Sequence, residues 1–243
     1  MTKIYGLLGR DIGYSFSRNY FSEKFEKENI DCQYNNFDLK QIEELKQVTE
    51  NTNIKGLNVT IPYKEDVISY LDNLDPVAKE IGAVNVIKFN KNQQLTGYNS
   101  DHYGFTESLK PLLNETIKKA LILGTGGASK AIAYALNQLD IRYTFVSRNP
   151  DFNELSYNDL DEDIIGEYKL IINCTPIGTH PKVENYPNIP YEYITENHVL
   201  YDLIYNPDQT TFMKKGLKKG AKVSNGLQML ILQAEKAWEI WNS

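Results

Sequence analysis

The first hundred residues show apolar runs and helical spacing in turn, a pattern that predicts strands and helices following one another along the chain. Apolar and β-branched runs, bounded by turn residues, predict strands at 3–9, 32–39, 56–60, 83–89 and 94–98. Helical spacing and end signals predict helices at 18–28, at 41–48 and from Asp75-Pro76 to Gly82. The last two strands are close enough to form a hairpin. This order predicts an α/β unit with a mostly parallel sheet.

The second half contains a strand, a glycine turn, a helix and a second strand within residues 119–148. An apolar run predicts the strand 120–123, and a β-branched and aromatic run predicts the strand 143–146. Ala128, Ile132 and Leu136 keep helical spacing between them. This is the pattern of a βαβ unit. The remaining predicted elements are helices at 101–110 and 210–219, strands at 168–173, 199–204 and 221–224, a long loop at 176–190, and a last helix from Gly226.

The glycine turn of the βαβ unit has the composition of a phosphate-binding turn. Gly124, Gly126 and Gly127 lack side chains, and Ala128 and Ser129 behind them are small. Such residues let the backbone approach a pyrophosphate, which the positive end of the following helix attracts. The pattern G-x-G-G-A-S departs from the full dinucleotide fingerprint at its third glycine, but it lies between a predicted strand and a predicted helix, as the fingerprint requires.

The residue after the second strand of this unit distinguishes two cofactors. NAD sites usually place an acidic residue there for the ribose hydroxyls. This chain has Ser147 and Arg148. A guanidinium suits a 2′-phosphate, so the sequence favours NADP over NAD. Asp151 opposes this with a nearby negative charge, and an arginine exposed to solvent at a strand end remains the alternative.

Composition narrows the possible partners. The chain has 32 acidic and 26 basic residues, a net charge of −6 and no long basic block, so nucleic acid is not an expected partner. The lack of a long apolar run argues against a membrane partner, and we expect a cytoplasmic protein. Cys32 and Cys174 and the three histidines show no metal-type spacing, so no metal is expected.

Polar residues cluster where the predicted strands of the first half end. Ser15 and Ser17 fall on one side of a segment that we expect to be extended, Thr60 and Lys64 follow a strand, and Asn85 lies inside one. Ligands of open parallel sheets bind at the carboxyl ends of strands. Each residue has a plain structural alternative, such as a helix cap for Ser17 or a solvated charge for Lys64. Together they predict a pocket for a small polyhydroxylated substrate.

Eight short motifs follow one another along nearly the whole chain. They are SxS at 15–17, NVTIPYK at 58–64, AVN at 83–85, NSDxxG at 99–104, GTGGAS at 124–129, INCTPIG at 172–178, YDLIY at 201–205 and NGLQMLILQA at 225–234. In this order they resemble the shikimate dehydrogenase family, which includes shikimate/quinate dehydrogenases. The resemblance implies a two-domain α/β fold with a cleft between the domains. A substrate domain would comprise 1–102 and the last helix, 227–243, and a Rossmann-like NADP domain would comprise 103–226.

The resemblance also implies a role for individual residues. Lys64 and Asp101 would form the catalytic pair. The substrate-binding residues would be Ser15, Ser17, Thr60, Asn85, Tyr205 and Gln233. The NADP-binding residues would be Gly124, Thr125, Gly126, Gly127, Ala128, Ser129, Ser147, Arg148, Thr175, Leu203 and Gly226.

The function implied is the reversible, NADP-dependent reduction of 3-dehydroshikimate to shikimate in aromatic amino acid biosynthesis. Lys64 would act as the acid/base group, with Asp101 orienting it. Two alternatives remain: a quinate/shikimate dehydrogenase using NAD, and a non-catalytic NADP-binding sensor on the same fold. The partner is a small molecule in each case. The chain would act as a monomer or a homodimer.

Overall fold

The computed structural model describes residues 2–13, 15–90 and 92–243, and the strands in these ranges form two sheets. The chain divides into two compact units. The first is Met1–Ser100 with Ala234–Ser243, and the second is Asp101–Gln233.

The described residues of the first unit contain one mixed sheet. Its strands are β1 Lys3–Gly9, β2 Cys32–Asp38, β3 Ile54–Val59, β4 Asn73–Leu74, β5 Val86–Phe89 and β6 Leu95–Tyr98. Their order in the sheet is β2-β1-β3-β5-β6-β4. β1 pairs in parallel with β2 and β3, and β4 pairs in parallel with β6. The β3–β5 and β5–β6 pairs are antiparallel, so the predicted hairpin is present.

Three short or medium helices accompany this sheet. They are α1 Phe16–Lys27, α2 Leu45–Thr49 and α3 Pro76–Ile81. The predicted start of α3 is confirmed, because the Asp75 carboxylate accepts a hydrogen bond from the Val77 N–H at 3.0 Å. Gly82 ends it in the left-handed region with φ of 70°. The predicted helix at 41–48 begins instead as a 3₁₀ turn, Ile42–Glu44, before α2.

Aromatic rings form one of the cores of the first unit. Phe21 and Phe25, on the buried face of α1, pack against Trp241 and Trp238 of the last helix, with ring centroids 5.4 and 5.3 Å apart. Tyr5 of β1 lies against the same two tryptophans. Rings at these separations bury large apolar areas, so this cluster ties the end of the chain to the first sheet.

The described residues of the second unit contain a fully parallel sheet. Its strands are β7 Lys119–Leu123, β8 Arg142–Ser147, β9 Leu155–Ser156, β10 Leu170–Asn173, β11 Val199–Asp202 and β12 Lys222–Ser224. The sheet order is β12-β11-β10-β7-β8-β9, and every pair is parallel. Counted from the first strand, this is the 3-2-1-4-5-6 order of the doubly wound dinucleotide-binding fold. The Rossmann-like prediction is confirmed.

Helices cover both faces of this sheet. They are α4 Asp101–Leu109, α5 Gly127–Gln138, α6 Glu162–Glu167, α7 Thr211–Leu217 and α8 Leu227–Asn242. One apolar core contains Ile132 and Leu136 of α5, and the other contains Phe212 of α7 and Ile165 of α6. Because both faces of the sheet are buried, its strands appear in the sequence as continuous apolar runs.

The stretch between Arg148 and Tyr168, for which no element was predicted, contains β9 and α6. α6 has six residues and buries only Ile165, so it has too few turns to show an apolar period. Its visible signal was Asp161, whose carboxylate caps the helix by accepting from the Ile164 N–H at 2.9 Å.

The two units divide the chain after Ser100 and after Gln233, so the second division falls within α8. Residues 227–233, which the resemblance placed in the substrate domain, therefore cluster with the second unit. In the ranges that the structure describes, none of the helices combines the length and apolar character required to cross a membrane. In those same ranges, no three His, Cys, Asp or Glu side chains are grouped as metal ligands.

Candidate active site

The turn between β7 and α5 has the backbone that a phosphate site needs. Gly124 has φ of 97°, a left-handed conformation that residues with a Cβ rarely adopt. Gly126 is the N-cap of the twelve-residue helix α5 and no side chain caps it there. A Cβ added to Gly126 would meet nothing within 4 Å, so the space above the helix start is open. The turn therefore fits the pyrophosphate of a dinucleotide.

Not every residue of this turn has a side chain available for a ligand. Ser129 is 1% exposed, and both its N–H and its hydroxyl donate to the Gly126 carbonyl, at 2.9 and 2.6 Å. Its hydroxyl holds the turn together. Thr125 is exposed and Ala128 is half-buried at the start of α5. The N–H groups of Gly127 and Ala128 are thus the first-turn donors suited to a phosphate.

The edge of the sheet beside this turn carries Arg148. It is exposed and directly follows β8, whereas Ser147 is half-buried and its hydroxyl donates to the Asn149 carbonyl at 3.2 Å. Burial raises the pKa of the Tyr157 phenol, and the positive charge of Arg148 opposes that rise. Arg148 therefore lies near Tyr157, a residue that the sequence analysis did not identify. Asp151 is exposed in the same loop.

A buried polar network supports the carboxyl ends of β10 and β11. The Asn173 side-chain oxygen accepts from the N–H and the hydroxyl of Thr175, at 3.0 and 2.6 Å. The Asn173 amide donates to Asp202 at 3.0 Å, and Asp202 also accepts from the Thr210 hydroxyl at 2.6 Å. Burial raises the pKa of Asp202 to about 6. This network fixes Thr175, whose methyl group would lie 3.0 Å from a Cβ on Gly124.

Gly124 and Thr175 therefore meet where the sheet order reverses, between β7 and β10. The crevice at this switch point is where ligands of doubly wound sheets bind. Leu203 follows β11 on the same edge, and its N–H donates to the Asn173 carbonyl at 3.0 Å. A Cβ on Gly226 would lie 2.1 Å from the Leu203 carbonyl oxygen, so only glycine fits there. The predicted cofactor residues thus share the carboxyl edge of the second sheet.

Three more of the predicted site residues belong to the second unit. Asp101 is the first residue of α4 and is 6% exposed. One turn later, a Cβ on Gly104 would lie 2.5 Å from the Met229 carbonyl oxygen and 3.0 Å from the Gln233 Cβ. This close approach places buried Gln233 of α8 against the start of α4. Tyr205 is half-buried in the segment after β11.

The prediction that Ser15 and Ser17 share one extended segment was wrong. Ser15 is the N-cap of α1, and its hydroxyl oxygen accepts from the Arg18 N–H at 3.2 Å. Ser17 lies within the first turn of that helix. The helix begins this early because Ser15 has the extended backbone and the accepting hydroxyl oxygen of an N-cap. The sequence had suggested this capping role for Ser17 instead. Both side chains are 8% exposed.

Thr60 and Lys64 lie just beyond the carboxyl end of β3. The Thr60 N–H donates to the Leu8 carbonyl at 2.9 Å, and a Cβ on Gly9 would lie 2.5 Å from the Thr60 methyl group. Lys64 is half-buried, and its carbonyl accepts from the Val84 N–H at 2.7 Å. The chain around Lys64 is therefore joined to the segment that leads to Asn85.

Asn85 precedes β5, which begins at Val86, so the prediction that it lies inside a strand was wrong. It is 2% exposed, and its side chain binds Ser100 twice: its oxygen accepts from the Ser100 N–H at 2.6 Å and its amide donates to the Ser100 hydroxyl at 3.0 Å. Its carbonyl accepts from the Val59 N–H at 2.9 Å. Thr60, Lys64 and Asn85 thus share one end of the first sheet.

Comparison with known proteins shows similarity over almost the entire chain. The family model for the shikimate dehydrogenase substrate binding domain matches residues 7–87. The shikimate dehydrogenase (NADP(+)) of Clostridium botulinum strain Hall is 40% identical over 248 residues, which cover 97% of this chain and 95% of that protein.

Solved structures agree with this similarity. A shikimate dehydrogenase from Aquifex aeolicus has a TM-score of 0.89 at 36% identity, covering 99% of this chain and 92% of that one. The Thermus thermophilus shikimate 5-dehydrogenase, solved in complex with NADP(H) and shikimate, has a TM-score of 0.86 at 30% identity, covering 98% and 93%.

Proposed function

Because the chain belongs to the shikimate dehydrogenase family, we propose that it catalyses the reversible, NADP-dependent reduction of 3-dehydroshikimate to shikimate. The observation that carries this proposal is the glycine turn at the switch point of the second sheet. Gly124 in the left-handed region and the open N-cap at Gly126 fit a dinucleotide pyrophosphate. The reaction belongs to aromatic amino acid biosynthesis.

The cofactor residues proposed here share the carboxyl edge of the second sheet. Gly124 to Ala128 would hold the pyrophosphate through backbone N–H groups, with Ser129 supporting the turn. Ser147 and Arg148 would hold the adenosine end, where the guanidinium suits a 2′-phosphate. Thr175, Leu203 and Gly226 would line the nicotinamide end, since the close packing of Gly226 leaves a backbone surface there.

The substrate residues proposed here occur in both units. Ser15, Ser17, Thr60 and Asn85 of the first unit and Tyr205 and Gln233 of the second would bind the hydroxyl and carboxylate groups of the ring. The proposed domains are a substrate domain of 1–102 with 227–243 and an NADP domain of 103–226. Both domains would be required for turnover, because Lys64 and Asp101 belong to the proposed substrate domain and the proposed NADP-binding residues belong to the other.

Reduction of a ketone to a secondary alcohol adds a hydride to carbon and a proton to oxygen. NADPH supplies the hydride when bound. Lys64 would donate the proton to the substrate oxygen, and in the reverse direction it would remove the hydroxyl proton. Asp101 would orient the Lys64 ammonium and accept a hydrogen bond from the substrate hydroxyl. Asp101 is buried at the start of α4.

The direct test is consumption of NADPH by the purified protein with 3-dehydroshikimate, followed by absorbance. Parallel reactions contain NADH with 3-dehydroshikimate, and NAD⁺ or NADP⁺ with quinate or shikimate. We expect the fastest turnover with NADPH and 3-dehydroshikimate. A preference for NAD⁺ and quinate would assign the quinate alternative. Binding of NADPH without turnover on any of these acids would contradict the proposal and favour a sensor.

We further propose a cytoplasmic protein that acts as a monomer or a homodimer. Light scattering of the eluting peak in size-exclusion chromatography separates these states from larger assemblies.

A further inference from the structure

Tyr34 of β2 is a buried polar residue to which neither the motifs nor the proposed mechanism gives a role. It is 4% exposed. Its ring stacks on Phe21 of α1, with centroids 4.8 Å apart and planes 12° from parallel. Its hydroxyl donates to the side-chain oxygen of Asn58 at 2.7 Å. Tyr34 therefore links helix α1 to strand β3 through one ring and one hydroxyl group.

On the helix side, Tyr34 meets the face that carries Ser17. Ser17 and Phe21 are four residues apart on α1, so their side chains lie one above the other. Burial raises the pKa of the Tyr34 phenol well above its usual value, and the Ser17 side chain opposes that rise. The Tyr34 hydroxyl, which donates to Asn58, therefore also lies near the Ser17 side chain.

On the strand side, Asn58 continues the chain of hydrogen bonds. It is 4% exposed, lies on β3 two residues before Thr60, and its amide donates to the Asn85 carbonyl at 3.4 Å. The Asn85 side chain then binds Ser100. A path of buried polar groups therefore runs from Ser17 through Tyr34 and Asn58 to the backbone carbonyl of Asn85. Its two ends are residues to which the proposed function assigns substrate binding.

We propose that Tyr34 is a positioning residue for substrate binding, which fixes the Ser17 hydroxyl and, through Asn58, joins it to Asn85. This inference rests on the proposed function. The phenol has one proton, and the hydrogen bond to Asn58 uses it. The phenol oxygen then accepts the Ser17 proton, which leaves the Ser17 oxygen as an acceptor for a substrate hydroxyl.

This role belongs to the hydroxyl group and is separable from that of the ring. A Tyr34→Phe variant retains the ring stacked against Phe21 and loses only the hydroxyl, which donates to Asn58. Tyr5 provides a matched control, because it is 2% exposed and is the direct register partner of Tyr34 on β1. Tyr5→Phe removes a hydroxyl from the same sheet without touching this path.

The experiment is a double-mutant cycle with Ser17→Ala and Tyr34→Phe, read as KM for 3-dehydroshikimate, as kcat and as the dissociation constant of shikimate. Loss of one neutral hydrogen bond predicts a rise of about 3- to 10-fold in KM and in the dissociation constant for Tyr34→Phe. We expect kcat to change little, because the path does not include Lys64. In the Ser17→Ala background, Tyr34→Phe should raise KM by a smaller factor than in the wild type.

Two results would overturn the inference. One is a KM effect of Tyr34→Phe of the same size in both backgrounds, which indicates a general effect on packing. The other is an effect no larger than that of Tyr5→Phe. Urea unfolding of each variant measures stability independently of binding. A wild-type protein that neither turns over 3-dehydroshikimate nor binds shikimate would instead overturn the proposed function itself.

Discussion

Gly226 and Leu203 approach each other so closely that a methyl group on Gly226 would lie 2.1 Å from the Leu203 carbonyl oxygen. The obstacle to such a methyl group is backbone, because it would also lie 2.6 Å from the Leu203 carbonyl carbon. The Gly226 N–H also donates to the Ile204 carbonyl at 3.0 Å. The start of α8 is therefore fixed against the segment that follows β11.

Gly226→Ala should consequently weaken both folding and cofactor binding. Overpacking of this kind typically costs about 1–3 kcal/mol of unfolding free energy, and here the relief requires movement of Leu203. We expect a lower midpoint in urea and a larger dissociation constant for NADPH, measured by fluorescence titration. Gly166→Ala is the matched control, since a Cβ on Gly166 in α6 meets nothing within 4 Å. Equal behaviour of the two variants would contradict this account.

Lys64→Met should cut kcat for reduction of 3-dehydroshikimate by at least about 10²-fold, the usual effect of removing a general acid/base group. The dissociation constant of NADPH should change little, because Lys64 belongs to the first unit and the proposed cofactor residues to the second. Lys79→Met, an exposed lysine of α3 in the same unit, serves as the control. Turnover close to that of the wild type in Lys64→Met would reject the assignment of Lys64.

Arg148→Gln should reduce the preference for NADPH over NADH. A hydrogen bond to a charged group contributes about 1.5–3 kcal/mol, which corresponds to about 10- to 150-fold in the ratio of kcat/KM for the two cofactors. Arg142→Gln is the control, because Arg142 is exposed at the opposite end of the same strand, β8. An unchanged ratio in Arg148→Gln would show that another group selects the 2′-phosphate.

Long, periodic elements were predictable from sequence, and short or tertiary features were not. The βαβ unit was predicted correctly because β7 and β8 are short runs of strand-forming residues and the helix between them, α5, keeps helical spacing of its apolar residues. Helix α6 was missed because a single buried residue, Ile165, gives no period. The sequence did not show that Tyr34 and Tyr157 belong to polar clusters. Only the fold brings Asn58 to Tyr34 and Arg148 near Tyr157.

The errors at Ser17 and Asn85 have a different cause. Both residues lie at the boundary of an element: Ser17 is the second residue of α1, and Asn85 is the residue before β5. A boundary shift of one residue changes whether such a residue belongs to the element, and sequence patterns do not fix boundaries that closely. Their identity as polar residues near strand ends was nevertheless visible in the sequence. Roles that depend on both units, such as the pairing of Lys64 with Asp101, stay predictions that the kinetic variants test.

The buried carboxyl of Asp202 should give the protein an unusual dependence of stability on pH. Its pKa is about 6 in the folded protein, above the ordinary value of an aspartate, because burial disfavours the charge. Between the ordinary pKa of about 4 and the folded pKa, the folded state holds a proton that the unfolded state releases. The contribution of Asp202 is therefore present at low pH and lost as the pH rises to about 6.

A second buried group, His198, acts in the opposite direction. Its Nδ1 accepts from the Thr195 N–H at 3.0 Å and its Nε2 lies 2.9 Å from the Ile165 carbonyl oxygen, so the ring is held neutral. Burial lowers its pKa, and stability from this group is lost as the pH falls below the ordinary histidine value. The two effects overlap in acid, so the wild-type curve alone does not separate them.

Asp202→Asn separates them, because the variant retains His198 and lacks the titrating carboxyl. Each pKa unit corresponds to about 1.4 kcal/mol, so the unfolding free energy of the wild type relative to the variant should fall by about 2 kcal/mol between pH 4 and pH 7. Urea unfolding at several pH values measures this difference, with Asp151→Asn as an exposed control. A difference that stays constant or grows with pH would show that Asp202 is ionised at all these values and that its hydrogen bonds to Asn173, Ile204 and Thr210 outweigh burial.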